Sequence, residues 1–189
     1  ISAARRNVNI YIMADGYASQ EISSGFIREL TDAGICFRFF EPLLRSRYYY
    51  FGRRLHHKLV VADTKYALVG GINVSNNYND MPGEPAWLDF ALYAEGEIAQ
   101  QLCILCWKTW NGYPPHMGPT PCERDPPRFH IPAAENCLVR MRRNDWVRRK
   151  NEISGSYREM FRKATDQIII VSSYFLPGKE FRTGIWKAA

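Results

Sequence analysis

The residues of this chain that could do chemistry on a phosphate ester lie between positions 56 and 73. They follow the pattern H-x-K-x4-D-x6-G-G-x-N and are His56, Lys58, Asp63, Gly70, Gly71 and Asn73. A phosphodiester exchange without a metal needs a nucleophile for phosphorus, positive charge beside the phosphoryl oxygens and an acid for the leaving oxygen. The spacing therefore predicts one half of a phosphodiester-cleaving site.

Most members of this set suit a definite part of the reaction. An imidazole such as His56 attacks phosphorus through one ring nitrogen when the other nitrogen donates to an acceptor. Lys58 offers a cation for phosphate, and Asn73 offers neutral amide donors. Gly70 and Gly71 let the backbone approach an anion closely. We therefore predict that His56 is the nucleophile and that the other four residues bind the phosphate.

A β-hairpin is predicted to carry these residues. Residues 55–62 and 66–69 are rich in strand-forming side chains and are joined by a short polar connection. Because side chains alternate along a strand, His56 and Lys58 should point to one face of the sheet and His57 to the other. The hairpin would therefore bring the nucleophile and the cation together.

Strands and helices alternate around this hairpin. Residues 8–13 and 35–40 are predicted strands, and the helix between them ends at Gly34. A further strand over residues 87–95 is followed by a helix that runs from about residue 96 to residue 110. This order predicts an α/β fold in which a parallel or mixed sheet is flanked by helices.

A proline-rich segment divides the chain. Seven prolines lie between residues 111 and 132, where neither a helix nor a central strand can persist. After it we predict strands at 137–141 and 167–175 with a helix between them, and a further helix from residue 181. The predicted organisation is a first domain over 1–112, a linker over 113–135 and the start of a second, similar domain over 136–189, which the chain does not complete.

Positive charge is concentrated in one region. The net charge is +6, and residues 140–150 hold six basic side chains and one acidic one. Residues 43–54, just before His56, interleave arginines with tyrosines. Both segments suit an anionic partner such as phospholipid headgroups or nucleic acid, and solvated surface loops are the alternative. No apolar run approaches the roughly 18 residues of a membrane span, so we expect a soluble chain or an excerpt from a longer one.

Five cysteines without a regular spacing favour thiols in a reducing compartment. Cys103 and Cys106 lie on the predicted helix before the linker, where we interpret them as buried thiols. The alternative is a zinc site that His116, Cys122 and His130 would complete, although their spacing matches no common ligand pattern.

The pattern from His56 to Asn73 resembles the signature of the phospholipase D superfamily, in which two such half-sites meet. Further stretches along nearly the whole chain are similar to bacterial cardiolipin synthases, most closely the B type. They are Asp15-Gly16-Tyr17, Phe26-x3-Leu30-x2-Ala33-Gly34-Ile35, Leu55 to Lys58, Val69 to Asn73, Asp89 to Leu92 and Ser173 to Gly178. The resemblance implies a phospholipase D-like mixed sheet flanked by helices, with only one of the two signatures in this chain.

The resemblance also implies roles for single residues. His56 would be one of two catalytic histidines, of which one forms a phosphohistidine and the other protonates the leaving group, while Lys58 and Asn73 would hold the phosphate. Asp63 would be a supporting acid, and Asp89, within an apolar strand, would orient the histidine. A buried acid must be paired or functional, and an exposed strand edge is the alternative for Asp89. The family often has serine where Gly71 stands, so backbone would replace a hydroxyl contact to phosphate here.

The implied reaction is transfer of a phosphatidyl group, most simply cardiolipin synthesis from phosphatidylglycerol, with no metal and no cofactor. The implied partners are the phospholipid, an anionic membrane surface and a second H-x-K-x4-D half-site supplied in cis or by a dimer. We expect a peripheral enzyme on the cytoplasmic side of the cell membrane, inactive without that second half-site. The alternatives are a metal-independent phospholipase or nuclease, and a non-catalytic module that binds anions.

Overall fold

The computed structural model describes residues 1–40, 54–112, 122, 132, 136–145 and 150–189 of the 189-residue chain. The chain divides into two compact units, Ile1–Ile131 and Pro132–Ala189. The tyrosine-rich segment 43–54, apart from Arg54, and most of the proline-rich linker lie outside the described residues. No helix in the described part of the chain is long and apolar enough to cross a bilayer.

The first unit opens with a β-α-β arrangement. Strand β1 (Tyr11–Asp15) pairs in parallel with β2 (Cys36–Phe40), and helix α1 (Ser24–Asp32) connects them. The helix starts where the Ser23 hydroxyl accepts a hydrogen bond from the Phe26 N–H at 3.1 Å, a standard N-cap. The predicted strand-helix-strand order is therefore confirmed.

A three-stranded antiparallel sheet follows. Strands β3 (Lys58–Ala62), β4 (Tyr66–Gly70) and β5 (Ala91–Glu95) lie in that order, and a tight turn joins the first two. The predicted hairpin is thus confirmed, but two predicted starts were wrong. Strand β3 begins at Lys58 and not at residue 55, and β5 begins at Ala91 and not at residue 87, because the preceding residues have no ladder partner among those described.

Helix α2 (Glu97–Asn111) covers the sheet and reaches both sets of strands. Its buried face is formed by Ile98, Ala99, Leu102 and Cys103. Its far end meets β1 and β2: the Tyr11 ring lies 4.7 Å from that of Trp107, and the Arg38 guanidinium lies 4.4 Å from the Trp110 ring. The helix therefore joins the parallel pair to the antiparallel sheet.

The cysteines correct one prediction. Cys103 on α2 is disulfide-bonded to Cys122 of the proline-rich segment, so interpreting these two as thiols was wrong. Cys106 is a free thiol whose pKa burial raises. The zinc alternative loses Cys103 and Cys122 as ligands, while His116 and His130 lie outside the described residues.

The second unit contains a short antiparallel pair, β6 (Asn144–Asp145) with β7 (Lys150–Asn151), and two helices, α3 (Glu152–Lys163) and α4 (Lys179–Ala188). Its centre is the buried Phe161 ring, 4.8 Å from the ring of Phe181. The predicted strands at 137–141 and 167–175 were wrong, because neither segment finds a ladder partner among the described residues.

Candidate active site

Three strand ends meet at one end of the antiparallel sheet. Lys58 at the start of β3 pairs with Gly70 at the end of β4, which pairs with Ala91 at the start of β5. We call this row the Lys58 end of the sheet. His56 lies two residues before it along the chain, and Asp89 lies two residues before Ala91. The antiparallel register thus gathers at one end most of the polar residues that the sequence singles out.

His56 and Lys58 are brought together by a direct contact. The Lys58 Nζ donates a hydrogen bond to the His56 backbone carbonyl at 3.1 Å. The His56 side chain is exposed, whereas Lys58 is half-buried. Strand alternation does not produce this pairing, because the strand begins only at Lys58. The exposed imidazole thus belongs to the residue whose backbone the Lys58 ammonium contacts, and an exposed imidazole and an ammonium group are the types that nucleophilic attack on a phosphate needs.

Gly71 lies directly against the Asp89 side chain at the Lys58 end of the sheet. The Gly71 N–H donates to the Phe90 carbonyl at 3.1 Å, which holds the segment just before β5 against the end of β4. A Cβ at Gly71 would lie 2.7 Å from the Asp89 carboxyl carbon, closer than any real side chain permits. The Asp89 carboxylate is half-buried and accepts a hydrogen bond from the Phe90 N–H at 2.7 Å. Orientation of His56 by Asp89 stays a prediction.

The loop between β4 and β5 folds back on itself and carries Asn73. The Asn73 side-chain amide donates to the Tyr78 hydroxyl at 3.0 Å. The Tyr78 ring packs edge-on against that of Trp87 at 5.9 Å, and the Trp87 N–H donates to the Asn77 carbonyl at 2.8 Å. Asn73 is exposed and lies three residues beyond Gly70 along the chain, and contact between its amide and a phosphate stays a prediction. Tyr78 and Trp87, which sequence reasoning did not single out, hold this loop.

Asp63 is the one signature residue that the fold does not bring to this end. It lies in the β3–β4 turn with a left-handed φ of 52°, next to Thr64 with a φ of 59°. It lies five residues beyond Lys58 along the strand direction, a distance of about 16 Å. The structure thus places Asp63 in the turn, where aspartate tolerates a left-handed backbone better than most residues, and a supporting role for Asp63 in catalysis stays a prediction.

Sequence reasoning also missed the role of Asp15 at the end of β1. Its carboxylate is only 9% exposed and accepts hydrogen bonds from the backbone N–H groups of Tyr17, Ala18 and Leu55. Burial alone would raise the pKa of Asp15, but these bonds and the charge of Arg54 outweigh it and lower the pKa below its ordinary value. An acid at a strand end followed by glycine was the available signal.

No group of three or more His, Cys, Asp or Glu side chains that could hold a metal ion occurs within the part of the chain that the structure describes. The positive side chains of the second unit are partly engaged, since Arg140 and Arg142 each lie 3.9 Å from the carboxylate of Glu159. A hydrogen bond from Lys163 and these charges lower the pKa of Glu159. Residues 146–149 of the basic segment lie outside the described residues.

Comparison with known proteins gives a consistent result. Residues 1–102 match the family described as cardiolipin synthase, PLD-like domain. The whole chain is 33% identical to cardiolipin synthase B of Escherichia coli (strain K12) and 34% identical to that of Salmonella typhimurium (strain LT2), covering 46% of each. A cardiolipin synthase of Alkalihalophilus pseudofirmus is 31% identical over 59% of this chain and 22% of its own length. The chain thus spans about half the length of the first two relatives.

Proposed function

Since the chain belongs to the cardiolipin synthase family with a PLD-like domain, we propose that it carries one half-site of a phosphatidyltransferase that makes cardiolipin from phosphatidylglycerol. The observation that carries the proposal is the convergence of His56, Lys58, Gly71 and Asp89 at one end of the antiparallel sheet. A nucleophile, a cation for the phosphoryl oxygens and a carboxylate that can orient the nucleophile are the groups that this chemistry needs from one half-site.

In the first step His56 attacks the phosphorus of phosphatidylglycerol. A phosphorus–nitrogen bond forms, and the bond from phosphorus to the headgroup glycerol oxygen breaks. The leaving oxygen takes a proton from the histidine of the second half-site. Lys58 and Asn73 hold the phosphoryl oxygens while negative charge builds on them, and this stabilises the transition state.

In the second step a hydroxyl of another phosphatidylglycerol attacks the phosphohistidine. Its proton returns to the histidine of the second half-site, a new phosphorus–oxygen bond forms and the bond to His56 breaks. The products are cardiolipin and glycerol, and both histidines regain their starting states. Water at the acceptor position would instead give phosphatidic acid, so the acceptor site decides between transfer and hydrolysis.

The chain carries a single H-x-K-x4-D signature. The proton donor of this mechanism therefore comes from a second half-site, in a longer polypeptide or in a dimer partner. We place the enzyme peripherally on the cytoplasmic face of the membrane, where its lipid substrate lies. The basic segment 140–150 supports contact with an anionic surface, although Glu159 already engages two of its arginines.

The test uses the longest natural polypeptide that contains this sequence and radiolabelled phosphatidylglycerol in vesicles. We expect labelled cardiolipin and an acid-labile phosphorus adduct on His56. His56→Ala should lower turnover on the order of 10⁴-fold or more. The matched control is His57→Ala, the exposed neighbouring histidine, which should keep turnover within about threefold of the wild type.

Two results would contradict the proposal. One is a folded full-length protein that yields no cardiolipin from phosphatidylglycerol. The other is His56→Ala with turnover equal to that of His57→Ala, which would remove His56 from the mechanism. Phosphatidic acid or cleaved nucleic acid as the sole product, still dependent on His56, would keep the nucleophile and reassign the enzyme to hydrolysis.

A further inference from the structure

The chain leading into β3 is held by the loop that follows β1. Asp15, the last residue of β1, is the one charged side chain that is buried within the described part of the chain. A buried carboxylate is costly unless hydrogen bonds and positive charge compensate it. The groups that donate hydrogen bonds to the Asp15 carboxylate therefore show which segments of the chain Asp15 holds.

Two of those groups come from the loop itself. The N–H groups of Tyr17 and Ala18 donate to Asp15 Oδ1 at 3.0 and 2.7 Å, which fixes the orientation of the carboxylate. The other two come from a segment far along the chain. The Leu55 N–H donates to Oδ2 at 2.7 Å, and Arg54 Nε donates to Oδ1 at 2.9 Å. Leu55 is the residue immediately before His56.

A second contact reinforces this attachment. The Arg54 guanidinium lies over the Tyr17 ring, 4.3 Å from its centre, so the loop holds Arg54 through both a carboxylate and an aromatic face. The Arg54 side chain is 46% exposed, and water weakens its ion pair. The shielded backbone bond from Leu55 is therefore the stronger part of the attachment.

His56 consequently lies between two fixed points. On one side Leu55 is held by Asp15, and on the other side Lys58 is held by its ladder partner Gly70. Only His56 and His57 lie between these points, and neither belongs to a strand. Without the Asp15 bond, His56 would be held on one side only.

We propose that Asp15 is a positioning residue for the nucleophile His56, acting through the Leu55 backbone. This inference rests on the proposed function, in which His56 attacks phosphorus. A displacement of the nucleophile by about 1 Å lowers the rate by about 100-fold, because the reacting atoms lose their near-attack geometry. Asp15 itself does not touch the reacting atoms, so its removal should change kcat more than KM.

Asp15→Asn is the main test, in the full-length polypeptide with labelled phosphatidylglycerol. The asparagine side chain keeps the shape of aspartate, but an NH2 group replaces one of the two carboxylate oxygens. That position can then no longer accept the hydrogen bond from Leu55 or the one from Arg54, depending on which oxygen is replaced. We expect kcat to fall by about 30- to 100-fold with KM within about threefold. Arg54→Leu removes one donor and leaves the Leu55 bond, so kcat should fall by about three- to tenfold. Because the Arg54 side chain is half-exposed, Arg54→Leu can test the proposal even if Asp15→Asn does not fold.

The control for a purely structural effect is Ser23→Ala. This substitution removes the N-cap of α1 and should lower the Tm through a loss of helix stability away from the site. At a temperature where all variants are folded, Ser23→Ala should keep the wild-type kcat. Wild-type kcat in Arg54→Leu, and in Asp15→Asn where it folds, would overturn the proposal. A His56→Ala variant that keeps full turnover would instead overturn the proposed function.

Discussion

The two ends of the antiparallel sheet are held by different kinds of interaction. At the turn end, formed by Ala62, Tyr66 and Glu95, the Lys65 carbonyl accepts from the Gly96 N–H at 3.3 Å, just where α2 begins. The disulfide of α2 lies close by, since the Thr64 hydroxyl is 3.8 Å from the Cys103 sulfur. At the Lys58 end the signature side chains are exposed or half-buried, and they are held by a few polar contacts.

This difference indicates that the signature is not a single functional unit. Its histidine, lysine, glycines and asparagine lie at or near the Lys58 end, whereas Asp63 lies at the turn end. Substitutions at the Lys58 end should therefore lower activity, with a loss of stability only where packing is tight. Substitutions at the turn end should lower stability and leave turnover unchanged. Three experiments test this division.

Gly71→Ala should have the largest combined effect. The added methyl group would overlap the Asp89 carboxylate, so either the carboxylate or the end of β4 must move. We expect kcat to fall by about 100-fold, whereas the free energy of unfolding should fall by less than about 1 kcal/mol, because the carboxylate is the end of a flexible side chain that can move. Steady-state kinetics and denaturant unfolding of the same preparation measure the two effects.

Two further variants separate the causes of the Gly71→Ala effect. Gly25→Ala adds a methyl group on α1, where the nearest side-chain atom among the described residues is the Ser23 hydroxyl oxygen at 3.9 Å, and should leave kcat unchanged. Adding Asp89→Ala to Gly71→Ala removes the overlap but should not restore activity, because the carboxylate is lost as well. Full activity in that double variant would show that the Asp89 carboxylate takes no part in the reaction.

Cys122→Ser tests the turn end. The disulfide closes a loop with a sequence separation of 19 residues onto α2, so its loss should lower the free energy of unfolding by about 3 kcal/mol. Turnover at a temperature where the variant is folded should equal that of the wild type. The matched control is Cys36→Ser, which changes an exposed free thiol.

Reducing agent provides an independent test of the same bond. It should lower the Tm of the wild type towards that of Cys122→Ser and leave the Tm of Cys122→Ser unchanged. Alkylation of unreduced protein followed by mass spectrometry should label Cys36, Cys106 and Cys137 after unfolding. Labelling of all five cysteines would show that the bond is absent and that the reduced state expected from the sequence is correct.

The strand-helix-strand start, the hairpin and α2 could be predicted from the sequence because each follows local periodicity and turn chemistry. The predicted strand at 167–175 failed for a physical reason, since apolar β-forming residues make a strand only where another strand supplies hydrogen bonds. The disulfide could not be predicted because the pairing of cysteines depends on their distance in space, which their spacing along the chain does not give. The role of Asp15 could not be identified because its hydrogen-bond partner Leu55 lies 40 residues away along the chain.

Asp63→Ala should have the smallest effect, and it tests whether the signature aspartate belongs to the turn. Alanine pays a penalty of about 1 kcal/mol at the left-handed φ of 52°, whereas Asp63→Gly adopts this backbone freely. We therefore expect reduced stability in the alanine variant, unchanged or higher stability in the glycine variant and wild-type kcat in both. Neither variant has a carboxylate. If both variants lost kcat while Asp63→Gly kept its stability, the loss would come from the missing charge and not from the backbone conformation. It would place the function of Asp63 with the Lys58 end and contradict the division between the two ends.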